Sequence, residues 1–106
     1  MITLNLLHPI ESTPIQTWKF SSESVIRIGR SGDNDVILYS SVVSRYHVEI
    51  HRHNNYWEIV NIGANGTFIN DQQIDKERVQ HRVIIGLATA GPKLQILLDD
   101  ADAIAP

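Results

Sequence analysis

Apolar and polar residues alternate at a period of two along most of this chain, and small turn-forming clusters interrupt the alternation. "TLNLL" opens with β-formers, and "IQTWKFS" sets Trp18 and Phe20 two apart. "SVIRIGR" is β-branched and stops at Gly29-Arg30. In "RYHVEIHRH" the period predicts Tyr46, Val48 and Ile50 on one face and His47, Glu49, His51 and His53 on the other. "YWEIVNI" puts Trp57 and Ile59 on a common face, and "GTFIN", "RVIIG" and "KLQILLD" supply further strands. The clusters "HPIESTP", "SGDND", "HNN", "GANG", "NDQQ" and "AGPK" read as turns between them. No window gives a capped amphipathic helix; the best candidate, "DKERVQH", is about two turns long. Many short strands separated by regular turns predict an all-β sandwich. The folded unit is expected over residues 1–99. Residues 100–106, ending "DADAIAP", are acidic and small and close on proline, as the start of a linker to further sequence would.

Length and composition narrow the function classes. The chain has 106 residues, enough for one core without staples. It has no cysteine, which removes disulfides, thiolate zinc sites and a cysteine nucleophile, and is compatible with a cytoplasmic protein. The first residues lack the basic n-region and long apolar run of a signal peptide, and no segment reaches transmembrane length, so no membrane role is expected. A net charge of −3 argues against a general affinity for nucleic acid.

Candidate chemistry concentrates at strand ends. Gly29-Arg30 ends one strand, Ser44-Arg45 precedes another, and "GANGT" forms a third tight loop. If the sandwich brings these loops to one edge, they present two guanidinium groups, a hydroxyl, an amide and backbone N–H groups. Such a donor-rich set suits a phosphate dianion. The alternative is ordinary turns with solvated arginines. Ser44, His47 and Asp33 or Asp35 could be drawn as a hydrolytic triad, but no G-x-S-x-G elbow surrounds Ser44, so no catalytic residue is assigned. His47, Glu49, His51 and His53 share a predicted face, yet without a closed four-ligand pattern a solvated polar face explains them better than a metal. No metal and no cofactor is called for. Trp18 and Trp57 alternate as core residues do.

Taken in order, "IGR", "NDVIL", "VSRYHVEI" and "NGTFIN" resemble the forkhead-associated (FHA) domain family over nearly the whole chain. The resemblance implies a sandwich of about eleven strands, of the SMAD/FHA-like kind, that binds phosphothreonine peptides through loops at one end. It implies that Arg30 holds the phosphate, that Ser44 hydrogen-bonds it, that Arg45 reaches it, and that Asn65 holds the ligand backbone. It implies structural support from Gly29, His47, Gly66, Thr67 and Asn70. The partner it implies is a phosphothreonine-bearing product of a Ser/Thr kinase. Selectivity would rest on variable loop positions, among them Val42, Val43, Ala64 and the "SGDND" loop. The two valines predict an aliphatic over an acidic ligand residue. A small pocket for the threonine methyl would disfavour serine by about tenfold or more. The pattern departs from the family at Asn61, Ala64, Asp71 and Gln80-His81. A phospho-independent interaction or oligomerisation module, working through its strand faces, is the alternative function.

Overall fold

The structure, a computed structural model, describes residues 1–99. The expected linker at 100–106 lies outside them. Among the described residues there are eleven strands and no helix. They are β1 (Ile2–Leu7), β2 (Pro14–Phe20), β3 (Val25–Gly29), β4 (Val36–Ile37), β5 (Val48–Arg52), β6 (Trp57–Asn61), β7 (Thr67–Ile69), β8 (Gln72–Ile74), β9 (Lys76–Val79), β10 (Arg82–Leu87) and β11 (Lys93–Leu98).

Two sheets stack face to face. The first has six strands in the order β2-β1-β11-β10-β7-β8, and the second has five in the order β4-β3-β5-β6-β9. The pairings are antiparallel except β3 with β4. Inward positions follow the predicted alternation. Ile2, Leu4, Ile85, Leu87, Leu94 and Ile96 point in from one sheet, and Ile26, Ile28, Val48, Ile50, Trp57 and Ile59 from the other. All belong to a single core cluster, with Trp18 and Phe20 packed against its edge. Each fully buried aliphatic side chain of this kind contributes roughly 1.5–3 kcal/mol. The core therefore holds the two sheets rigidly, and the loops at either end hang from fixed strand termini.

Three expectations are corrected. "DKERVQH" is not helical: Lys76–Val79 form edge strand β9, where Val79 lies opposite Trp57 and is buried. An isolated seven-residue helix does not nucleate, whereas an edge strand tolerates charge on its open side. "NDQQ" is only half turn, because Asn70 and Asp71, at φ 50° and 64°, make the two-residue connection and Gln72 and Gln73 already pair in β8. The alternation assigned to residues 45–53 starts only at Val48, where β5 begins. Tyr46 is consequently 44% exposed, and His47 is fully buried instead of sharing the outer face of Glu49 and His51.

Candidate functional site

Four loops meet at one end of the sandwich: residues 30–35 after β3, 38–47 after β4, 62–66 after β6 and 88–92 after β10. The segment 42–45 is their hub. Its four successive carbonyls each accept a hydrogen bond from a residue of the site. Val42 O takes Asn65 Nδ2 (2.9 Å), and Val43 O takes Arg30 Nε (3.0 Å). Ser44 O takes the Arg30 N–H (3.0 Å). Arg45 O takes the Ser31 N–H (3.2 Å) and Asn34 Nδ2 (2.8 Å). Arg30, Ser44, Arg45 and Asn65 are thereby brought together on one scaffold.

Close backbone approach makes this possible. A Cβ on Gly29 would stand 2.1 Å from Arg45 O, so only glycine lets β3 end against the 42–45 segment. Gly66 turns at φ 85°, in the left-handed region, and a Cβ there would lie 3.0 Å from Gln73 Nε2. The 62–66 loop is braced from below by Asn61. Its side chain donates to Gly63 O at 3.2 Å and accepts from the buried Thr67 Oγ1 at 2.8 Å. An aspartate in that place could accept but not donate.

His47 is the keystone between loops. Its N–H donates to Ile28 O at 2.9 Å, and its carbonyl accepts from both Ile62 and Gly63 at 2.8 Å. The ring Nδ1 accepts the Ser44 N–H at 3.0 Å. Nε2 must then carry the proton, and it donates to Gly66 O at 2.8 Å. Burial pushes this imidazole below its ordinary pKa of 6.5, against an upward pull from the Gly66 carbonyl. The neutral tautomer that the two bonds demand is thus the one the site favours.

Neither alternative chemistry assembles. Both ring nitrogens of His47 are engaged with backbone, so none is left for Ser44 Oγ or a carboxylate. Asp33 accepts from Tyr46 OH (2.7 Å) and Asp35 from the Arg27 N–H (2.8 Å). Of the four residues expected on one face, Glu49 and His51 stay paired at 2.8 Å, while His53 turns to Glu58 at 3.1 Å and His47 is buried.

Of the specificity positions, Val42 and Ala64 are exposed, but Val43 is 1% exposed and packs in the core. Its carbonyl serves Arg30, and its side chain does not reach the surface. Asn70 sits at the far end of β7 from Asn65 and shapes the β7–β8 turn, leaving the bracing of the ligand loops to His47 and Asn61. Sequence reasoning missed Asn34, Tyr46 and Gly91 as site-building residues. Gly91 is needed because a Cβ there would meet Leu87 O at 1.8 Å and Val42 Cγ2 at 2.9 Å. Asn34 was legible only as turn chemistry, since an asparagine after Gly-Asp marks a loop without saying what its amide holds.

Comparisons with known proteins agree with this architecture. The family model described as the FHA domain matches residues 26–88. The glycogen accumulation regulator GarA of Mycobacterium tuberculosis is 35% identical over 54 residues, which cover 50% of this chain and 33% of that protein. The oxoglutarate dehydrogenase inhibitor of Corynebacterium jeikeium is 42% identical over 43 residues, covering 40% of this chain and 30% of that protein. The matched stretch thus spans about a third of those curated relatives. Among solved structures, the FHA domain of FhaA, in complex with an intracellular domain of another protein, superposes with a TM-score of 0.74 at 23% identity, covering 91% of this chain and 99% of that one. The match runs from β3 to the end of β10 and takes in three of the four loops entire, together with the residues that tie them. The chain belongs to the FHA domain family.

Proposed function

We propose that this domain is a non-enzymatic reader of phosphothreonine in Ser/Thr-kinase signalling, acting in the cytoplasm on a phosphorylated protein partner. The observation that carries the reading is the fate of the four carbonyls of residues 42–45. Each is consumed by an internal donor. A surface that binds a dianion must not present acceptors to it, and this loop has turned its own away. Arg30, Arg45 and Asn65 are exposed and Ser44 is half-buried beside Gly63, so the donors left around this hub are the Arg30 Nη groups, the Arg45 guanidinium and the Ser44 hydroxyl. Neither Arg30 nor Arg45 makes an ion pair among the described residues.

In this reading Arg30 forks onto two phosphate oxygens, and its Nε bond to Val43 O fixes the plane of the fork. Ser44 adds a short hydrogen bond, and Arg45 supplies a second positive charge against a group carrying close to two negative ones. Asn65 holds the peptide backbone beside the phosphothreonine. Fluorescence anisotropy with a phosphothreonine peptide library and its unphosphorylated twin tests this. Binding should need the phosphate, vanish in Arg30→Ala and fall severely in Asn65→Ala. Equal binding of both twins, or of wild type and Arg30→Ala, would overturn it and favour a phospho-independent interaction module.

A further inference from the structure

We propose that Asp33 gives the site a second selectivity, for a cationic side chain near the phosphothreonine of the bound peptide; this rests on the phosphothreonine reading above. The 31–35 loop carries two aspartates with different employment. Asp35 is used internally, its Oδ2 accepting the Arg27 N–H at 2.8 Å. Asp33 is exposed and has no basic partner within ion-pair distance among the described residues. It is nevertheless held still. Tyr46 OH donates to its Oδ2 at 2.7 Å, and Tyr46 directly follows Arg45. The loop beneath it is fastened to the same platform, because Asn34 Nδ2 bridges Ser31 O and Arg45 O at 2.8 Å each. Hydrogen bonds from Ser31 and Tyr46 also keep the Asp33 carboxyl below the usual carboxylate range, so it is charged throughout the neutral region.

A fixed carboxylate at the rim of a phosphate site is a paradox if phosphate affinity alone matters, because it repels the dianion. It becomes useful when the ligand brings its own cation. Once the phosphate has neutralised Arg30 and Arg45, a ligand arginine or lysine beside Asp33 meets attraction, and a glutamate meets repulsion. Because Tyr46 clamps the carboxylate, the preference should fall on one peptide position and not spread over several.

The test is an alanine-background phosphothreonine peptide set in which Arg or Glu is placed at one flanking position at a time. Wild type at low ionic strength should favour Arg over Glu by roughly fivefold at one position, as expected for an exposed charge pair switched from attraction to repulsion, and the ratio should shrink with added salt. Asp33→Asn should bring the ratio to about one, and Asp33→Arg should invert it, with phosphate dependence kept in both. Tyr46→Phe keeps the ring and the carboxylate but drops the tether, and should lower the ratio without inverting it. Phosphate-dependent binding with a flat Arg-to-Glu ratio, or a ratio that survives Asp33→Asn, overturns the role of Asp33 alone. Loss of phosphate dependence in wild type overturns the phosphothreonine reading and this proposal with it.

Discussion

Replacing His47 by phenylalanine isolates what the keystone contributes. The ring is fully buried, so phenylalanine roughly conserves the packed volume and leaves little cavity. What disappears is two hydrogen bonds with unequal consequences. Gly66 O loses Nε2–H but keeps the Ala88 N–H at 2.8 Å, so it stays satisfied. The Ser44 N–H loses the Nδ1 acceptor that it holds at 3.0 Å. One lost net hydrogen bond costs about 1 kcal/mol, and a part-buried donor left without a partner costs about 1–3 kcal/mol. The sum, about 2–4 kcal/mol, is a sizeable share of a stability of about 5–15 kcal/mol. Urea unfolding followed by tryptophan fluorescence reads it directly, since Trp57 is buried beside the core. With a slope near 1–2 kcal/mol per molar urea, the midpoint should fall by about 1–4 M. Binding supplies the second readout. Ser44 is no longer held toward the ligand, so phosphopeptide affinity should drop at temperatures where the variant is still folded. A midpoint within the equivalent of 0.5 kcal/mol of wild type, roughly the range of an innocuous substitution, would refute the brace.

Three further outcomes follow from the same geometry. His47 is a base whose folded-state pKa lies below its ordinary 6.5, so the folded chain binds fewer protons than the unfolded one. Its contribution is fully present above about pH 6.5 and declines as pH falls toward the lowered value, by up to about 1.4 kcal/mol per pH unit. Urea midpoints at pH 7.5 and 5.5 should therefore converge for wild type and His47→Phe, and parallel declines would contradict the sign. Gly29→Ala should cost at least about 3 kcal/mol or prevent folding, because the new methyl meets Arg45 O. Gly32→Ala, with nothing within 4 Å of its Cβ, should change stability by less than about 0.5 kcal/mol in the same urea unfolding experiment. Arg30→Lys keeps the charge but loses both the fork and the Nε bond to Val43 O, and should weaken phosphopeptide binding about tenfold or more by calorimetry; unchanged affinity would mean that the guanidinium geometry is irrelevant.

The sandwich was legible because period-two alternation is a local signal. Ile26 and Ile28, Val48 and Ile50, and Leu94 and Ile96 each declare an inward face within three residues. β9 was not legible, because Lys76, Glu77 and Arg78 look the same on a charged helix and on an edge strand until Val79 is known to face Trp57. Tyr46 and His47 misled for a related reason. Alternation can be extended backwards on paper, but the strand begins only where a partner exists, and β3 is paired from Ile28↔Val48. The candidate donors are chosen by residue type and by the family pattern they resemble. The carbonyls that position them cannot be, since a main-chain oxygen leaves no trace in the sequence. Val43 shows this most clearly, as its place in the site comes from its backbone while its side chain fills the core.

The pairing of β1 with β11 has an engineering consequence. The Met1 ammonium lies 2.9 Å from Asp99 Oδ2, and the loops that carry Arg30, Ser44 and Asn65 are at the opposite end of the sandwich. Met1 and Asp99 therefore sit side by side and form one stalk. Such a unit can be spliced into a surface loop of a host protein through two short spacers, with little strain on either and with its donor loops held farthest from the host. It can equally be opened at the exposed β5–β6 tip, residues 53–55, and closed across the stalk, giving a circular permutant whose donor loops are untouched.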